Sequence, residues 1–220
     1  MPLPKFAFDR TSPAAGNYLN LDTGQHLTSK KLVAVAQKGV QARERRFVEL
    51  TKQVTNNEIS VGEWQAQMRD GIKRGFIEQY MMGRGGRAQM SQSDWGRVGA
   101  KIREQFNFLS MFEIDLANGV CVGGRAVNRA RMYASATHGA FSLGMRQVAK
   151  VVGWEYVRWV LAPDGESCID CINFSSMGWQ LLDSDPYSGA MPGDTIDPPV
   201  CGSNCRCHLE YSRHEVGWVP

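Results

Sequence analysis

The chain contains no long apolar segment free of charge, and this absence limits the classes of protein to which it can belong. Nowhere do its 220 residues contain an uncharged apolar run of about 18 residues, the length that a membrane-spanning helix needs. The opening residues also lack the apolar core of a signal peptide. We therefore expect no membrane contact, and a setting in the cytosol or inside a particle that assembles there.

Cysteine is scarce over the first three quarters of the chain, where Cys121 stands alone. The other cysteines form two groups near the C-terminus, Cys168-Ile-Asp-Cys171 and Cys201-Gly-Ser-Asn-Cys205-Arg-Cys207. A two-residue gap lets both thiolates reach one ion, because Zn–S bonds are about 2.3 Å long. In a reducing compartment clustered cysteines favour a metal, and a disulfide or free thiols are the alternative.

The two groups offer more donors than one zinc ion needs. A structural zinc site takes four ligands. We predict Cys168 and Cys171 as two of them, with two more drawn from Cys201, Cys205 and Cys207. His208 is expected to point away from Cys207 if this segment is a strand, since neighbouring side chains in a strand face opposite sides. His138 has no ligand partner near it in sequence and is predicted to be structural.

Charge is unevenly distributed along the chain. Residues 1–160 contain 23 Lys and Arg against 13 Asp and Glu, whereas residues 161–220 contain 2 against 9. A basic body joined to an acidic module suggests two surfaces with different partners, although solvated helix faces are the plainer alternative. The candidates for contact with DNA or an acidic partner are Arg43, Arg45, Arg46, Arg84, Arg87, Arg125, Arg129 and Arg131.

Apolar residues recur at steps of three and four over much of the chain, which predicts helices. The predicted helices run from Thr28 or Ser29 to about Asn56, from Glu58 to Met82, from Ser91 or Ser93 to Asn118, and from Arg125 to Val152. Gly83 is predicted to end the second helix, and residues 83–87 to form a turn between helices, with a loop that contacts phosphate or nucleic acid as the alternative. Short connections between long helices are typical of antiparallel bundles or hairpins, which would be elongated here.

The segments on either side of this helical body have a different character. Residues 1–27 contain scattered Pro and Gly without periodicity and are predicted to form an extended arm. Residues 153–220 contain short strand patterns at Trp154–Leu161, Gly178–Leu182 and His208–Tyr211 around the cysteines. The predicted fold is therefore mainly α, with an arm (1–27), a helical body (28–152) and a small cysteine-rich β module resembling a zinc knuckle (153–220), which a metal would stabilise.

The sequence carries no recognisable catalytic pattern. It lacks the His-x-Glu and Pro-Cys-x-x-Cys combination of zinc deaminases, and no pair of a nucleophile and a base can be recognised from its spacing. The acidic residues beside the first cysteine pair are better explained as turn residues; these are Asp164, Glu166 and Asp170. We expect a protein that is not an enzyme.

The C-terminal pattern resembles the phage head morphogenesis proteins of the Mu F-like and SPP1-type minor head family. Those proteins end with a turn containing Asp, a Cys-x-x-Cys pair, a Gly-containing loop, a Pro-rich stretch and His-x-x-Cys-Arg-Cys before a strand. Cys201 stands here in place of the family's His, with one extra residue before Cys205. The matching residues are Asp164, Cys168, Cys171, Gly178, Trp179, Pro198, Pro199, Cys205, Arg206, Cys207, His208 and Leu209, and residues 17–24 resemble an N-terminal element of phage relatives.

This resemblance implies a virion or assembly component without enzymatic activity, made in the host cytoplasm and built into the phage head. Members of the family are minor head proteins that associate with the portal or the inner head shell. The implied partners are therefore the portal or the major capsid protein, with packaged DNA as a further polyanion that basic helices could contact through charge. A capsid cement protein and a zinc-ribbon regulator that binds nucleic acid are the alternatives.

Overall fold

The computed structural model describes residues 6–8, 18–162, 166–187, 189–193 and 201–213. Within these ranges the chain is mainly helical with small antiparallel sheets, which confirms the predicted fold class at this level. The elements in chain order are β1 (Phe6–Phe8), β2 (Tyr18–Asn20), β3 (Gln25–Leu27), α1 (Ser29–Thr55), α2 (Val61–Arg84), α3 (Gln92–Ala117), α4 (Gly123–Ser135), α5 (Thr137–Val152), β4 (Tyr156–Val160), α6 (Ile169–Ser176), β5 (Gln180–Leu181) and β6 (His208–Ser212).

The first three helices begin at residues whose side chains bond to free backbone N–H groups. Thr28 precedes α1, and its hydroxyl accepts a hydrogen bond from the N–H of Lys31. Ser60 and Glu63 form a reciprocal capping box at the start of α2, and Ser91 and Asp94 form another at α3. Each cap satisfies donors that the first helical turn leaves unpaired. The predicted starts of α1 and α3 are confirmed.

The prediction that Gly83 ends the second helix was wrong. The helix continues to Arg84, and Gly85 ends it in the left-handed conformation, with φ of 87°. Gly83 instead lies where α2 crosses α5. A Cβ atom there would be 2.2 Å from the carbonyl oxygen of Phe141, and one on Gly144 would be 2.5 Å from that of Tyr80. The two glycines therefore allow backbone-to-backbone packing that no larger residue permits.

The single helix predicted over residues 125–152 is divided into α4 and α5, which corrects the expected number of helices. The hydrogen-bond pattern breaks at Ala136, next to Thr137. The buried hydroxyl of Thr137 donates to the carbonyl of Ala134 at 2.6 Å, and the N–H of Gly139 bonds three residues back, to the carbonyl of Ala136, at 3.2 Å. The break separates two packing roles, because α4 packs mainly on α1 whereas α5 packs on α2.

The N-terminal arm forms a three-stranded antiparallel sheet in the order β1-β2-β3. Tyr18, the first residue of β2, is completely buried, and its hydroxyl donates a 2.7 Å hydrogen bond to the carbonyl of Gly83. This contact joins the sheet to the crossing of α2 and α5. The sequence predicted an extended arm but not these strand pairings.

The C-terminal segment forms a second antiparallel sheet in the order β5-β4-β6. Its strands coincide with the three segments predicted to be strands, although β5 has only two residues and β6 continues one residue further, to Ser212. Trp159 of β4 is buried and packs against Phe174 and Tyr187, with ring centroids 4.9 and 5.3 Å apart. One hydrophobic cluster contains Tyr18, part of α1, α5 and the cysteines of this segment. The helical body and the cysteine module therefore share a core.

Among the described helices, none combines the length and the apolar character needed to cross a membrane.

Candidate metal centre

Five cysteine thiols come together at the end of the chain. The Sγ atom of Cys168 lies 3.3 Å from that of Cys201, and the Sγ atom of Cys171 lies 3.6 Å from those of Cys201 and Cys205. Cys207 belongs to the same cluster, within 4.8 Å of Cys171 and Cys205. The structure thus brings together every cysteine predicted as a ligand. We call these five residues the thiol cluster.

The first cysteine pair is placed by a helix rather than by the knuckle turn that the sequence suggested. Cys168 is the residue preceding α6, and Cys171 lies in its first turn. Side chains three residues apart at the start of a helix lie on one face, so both thiols can point to one position. The positive end of the helix dipole favours the thiolate of Cys168, whose pKa is lowered because bonds with Cys171 and Cys201 outweigh the effect of burial.

The second group is placed by a tight turn followed by a strand. Residues 202–204 form a 3₁₀ turn, which the N–H of Cys205 closes with a 3.0 Å bond to the carbonyl of Gly202. Cys205 has an extended backbone, and Cys207 directly precedes β6. The turn brings Cys201 back towards Cys205, and the extended backbone lets Cys207 reach the cluster despite the one-residue gap.

The sulfur separations suit a metal ion with thiolate ligands. Tetrahedral coordination with Zn–S bonds of about 2.3 Å places neighbouring sulfurs about 3.8 Å apart. The observed separations of 3.3 to 3.6 Å are close to that value. The thiol cluster could therefore hold a metal ion, and thiol sulfur is a donor that soft and borderline cations such as Zn²⁺ prefer.

Hydrogen bonds within the thiol cluster change the acidity of its members. Bonds from Cys171 and Cys205 lower the pKa of Cys207. The bonds of Cys171 to Cys205 and Cys207, followed by its burial, raise the pKa of Cys171. The cluster therefore readily contains one thiolate, but several thiolates at this spacing repel one another. A cation would remove that repulsion and allow further thiols to ionise.

The helical body supports the thiol cluster through contacts that the sequence did not predict. Nε2 of the buried His138 lies 2.9 Å from the carbonyl oxygen of Cys207, so this nitrogen carries the proton of the hydrogen bond. The side-chain amide of Gln37 donates to the carbonyl of Arg206 at 3.2 Å, and the hydroxyl of Ser142 donates to that of Pro192 at 3.1 Å. All three bonds join residues at least 50 positions apart, a separation at which sequence periodicity carries no signal.

The other side chains considered near the cysteines have different surroundings. Nε2 of His208 lies 3.6 Å from a carboxylate oxygen of Glu210. Glu166 pairs with Arg206 at 2.9 Å, and Asp170 lies in the first turn of α6. Asp164 lies outside the described residues.

Two of the eight arginines proposed as contacts for DNA or a partner are poorly accessible, Arg84 being buried and Arg43 partly buried, which corrects that prediction for them. Arg43 pairs with Glu78 at 2.6 Å, and Arg84 pairs with Asp94 at 3.1 Å. Their side chains are only 11% and 9% exposed, so neither can meet a partner without breaking a stabilising pair. The other six stay predictions; these are Arg45, Arg46, Arg87, Arg125, Arg129 and Arg131.

Three of those six already have partners within the chain. Arg129 bonds to Asp115 and lies over the ring of Phe112, and Arg131 pairs with Glu44. Arg46 donates to the side-chain oxygen of Gln67 at 2.6 Å. The remaining three are exposed; these are Arg45, Arg87 and Arg125.

Comparison with known proteins found no matching family, no matching curated protein and no matching solved structure.

Proposed function

We propose that this chain is a structural or assembly component of a bacteriophage head, a minor head protein near the portal or the inner capsid shell. The thiol cluster carries the proposal. Two separate cysteine groups, whose pattern resembles that of phage head morphogenesis proteins, meet at one point beside a long helical body. The proposal thus rests on that sequence resemblance together with a cysteine arrangement suited to one ion.

The metal in this proposal is a structural zinc ion. Each donor in the cluster is a cysteine thiol, the donor type of closed structural zinc sites. The ion would join the start of α6 to the turn at residues 201–205 and to the start of β6. Those elements are short, so cross-linking them by a metal would stabilise their arrangement on the helical body. The module would then serve as a rigid docking surface rather than as a catalytic site.

The partner in this proposal is a portal or capsid protein, with packaged DNA as a further polyanion. Exposed arginines provide the basic surface, and the acidic cysteine module provides a second surface of opposite charge. Contact through several Arg side chains would be weakened by salt, and phosphate contacts would not select a base sequence.

The direct test is to isolate particles of the phage that encodes the chain and to quantify the chain against the portal and major capsid proteins by mass spectrometry. About a dozen copies or fewer, as the symmetry of a portal ring suggests, is the expected result. Hundreds of copies would instead identify a cement protein distributed over the shell. Absence from both mature particles and assembly intermediates would contradict the proposal.

A charge-reversal experiment tests the basic surface separately. A variant with three exposed arginines changed to Glu should be incorporated into particles less often than the wild type. A control with the same change of charge elsewhere on α1 should be incorporated normally, and equal incorporation of both variants would contradict a role for the arginines. The test variant is R45E/R87E/R125E, and the control is K30E/K38E/K52E, also at exposed positions.

A further inference from the structure

The thiol cluster contains five sulfurs, one more than a tetrahedral ion binds, and their arrangement is not symmetrical. The sulfurs form two groups of three, and within each group every pair of sulfurs lies within 4.8 Å. One group consists of Cys168, Cys171 and Cys201, and the other of Cys171, Cys205 and Cys207. Cys171 is the residue that the two groups share.

This arrangement makes the five thiols unequal as ligands. If any thiol other than Cys171 is removed, one complete group of three remains together with at least one thiol of the other group. If Cys171 is removed, neither group of three remains, and the pairs Cys168 with Cys201 and Cys205 with Cys207 are linked only through the interaction of Cys201 with Cys205. Neither pair alone supplies three closely spaced sulfurs, to which a fourth could be added to complete a tetrahedral site.

The position of Cys171 supports the same conclusion. Its side chain is completely buried, and those of Cys205 and Cys207 nearly so, whereas Cys168 and Cys201 at the outer side of the cluster are partly exposed. Its Sγ atom lies 3.6 Å from Cys201 on one side and 3.6 Å from Cys205 on the other. Its place in the first turn of α6 fixes its backbone by helical hydrogen bonds, whereas Cys201 and Cys205 lie in a turn.

We infer that Cys171 is the one indispensable ligand of the metal centre, and that the other four thiols are interchangeable, any three of them completing the coordination. This inference rests on the zinc centre of the proposed function. It means that the site has a spare thiol, and that the bound ion can exchange one outer thiolate for another without leaving the protein.

The test is a set of single Cys→Ser variants of the full chain, purified under reducing conditions and titrated with Co²⁺. Tetrahedral thiolate coordination of Co²⁺ is read from its absorption, and bound zinc is measured by elemental analysis. Cys171→Ser should lower the affinity for Co²⁺ by more than about 100-fold. That loss exceeds the usual effect of removing a residue that only hydrogen-bonds to a metal ligand. The other four variants should each keep one ion per chain and lose less than about 100-fold in affinity, because the spare thiol replaces the one removed.

Cys121→Ser is the matched control, because Cys121 is buried but lies outside the thiol cluster. It should leave both the stoichiometry and the absorption unchanged. Helix content measured by circular dichroism shows whether each variant is folded.

A second measurement avoids substitution, in case Cys171→Ser does not fold. The zinc-loaded wild type is treated briefly with an alkylating reagent, and the modified cysteines are mapped by mass spectrometry. Cys171 should stay unmodified, while partial modification falls mainly on Cys168 and Cys201, the two partly exposed thiols. Modification of Cys171, or loss of the ion in any other cluster variant to the same degree as in Cys171→Ser, would overturn the inference. A wild type that binds no ion would instead refute the zinc centre, and the inference with it.

Discussion

The close crossing of α2 and α5 predicts that Gly83 cannot be replaced by even the smallest side chain without loss of stability. A Cβ atom at position 83 would lie 2.2 Å from the carbonyl oxygen of Phe141 and 3.0 Å from the N–H nitrogen of Met145. Ordinary contact begins near 3.4 Å, so the two helices would have to separate by more than 1 Å. Because the obstructing atoms belong to a helix backbone, no side-chain rotation can relieve the overlap.

The expected magnitude for Gly83→Ala follows from three contributions. Overpacking of a tight core costs about 1–3 kcal/mol, and the rigid backbone here points to the upper end. Disturbance of the bond from Tyr18 to the carbonyl of Gly83 costs about 1 kcal/mol more. The better helix propensity of Ala returns about 1 kcal/mol. The free energy of unfolding should therefore fall by about 3 kcal/mol.

The assay is urea unfolding followed by circular dichroism, with Gly96→Ala as the matched control. Gly96 is an exposed residue in α3, and a Cβ atom there would meet nothing within 4 Å. The control should gain about 1 kcal/mol from helix propensity alone. If Gly83→Ala proved as stable as the wild type, the backbone-to-backbone crossing would be refuted.

Two further predictions concern the buried polar groups near the same crossing. Burial would raise the pKa of Asp94, but bonds from Tyr80, Ser91 and Arg84 outweigh it and lower the pKa to about 2, from 3.8. A carboxylate with a lowered pKa stabilises the fold above its unfolded pKa, so about 2 kcal/mol should be lost as the pH falls from about 4 to 2. Asp94→Asn should remove that pH dependence. The control Asp70→Asn, at an exposed carboxylate paired with Arg74, should leave it intact. Identical profiles of stability against pH for the two variants would contradict the argument. Tyr18→Phe should lower the free energy of unfolding by about 1 kcal/mol in the same assay, and an unchanged value would mean that its hydroxyl does not hold the N-terminal sheet in place.

The sequence was sufficient to predict elements whose cause is local. The caps at Thr28 and Ser91 mark helix starts through bonds made within three residues, and apolar periodicity revealed the helices that follow. The five clustered cysteines could be grouped because chelation favours short spacings and cysteines are otherwise rare in this chain. These features do not depend on how distant parts of the chain meet.

The errors arose where distant contacts determine the structure. The intrinsic preference of glycine predicts that the helix ends at Gly83. The residue instead lies within α2, where the absence of a side chain lets the backbone of α5 approach closely. The break at Ala136 lies beside a bond from the hydroxyl of Thr137 to the carbonyl of Ala134, which apolar periodicity does not record. Arg43 and Arg84 read as surface charges because their carboxylate partners belong to other helices.

The same reasoning explains what could be predicted about the candidate site. The identity of its thiols follows from composition, whereas their division into two groups around Cys171 depends on the fold of α6 against the turn at residues 201–205. The role of His138 depends on β6 returning to α5, 69 residues later in the chain.

The measurement that tests the central claim most directly is the metal content of the chain purified under reducing conditions. The account predicts about one zinc ion per chain, and removal of the ion by a chelator should lower the melting temperature and make the cluster thiols reactive. The account would be contradicted if the purified chain contained no metal, bound none when zinc was added, and had the same melting temperature with and without a chelator.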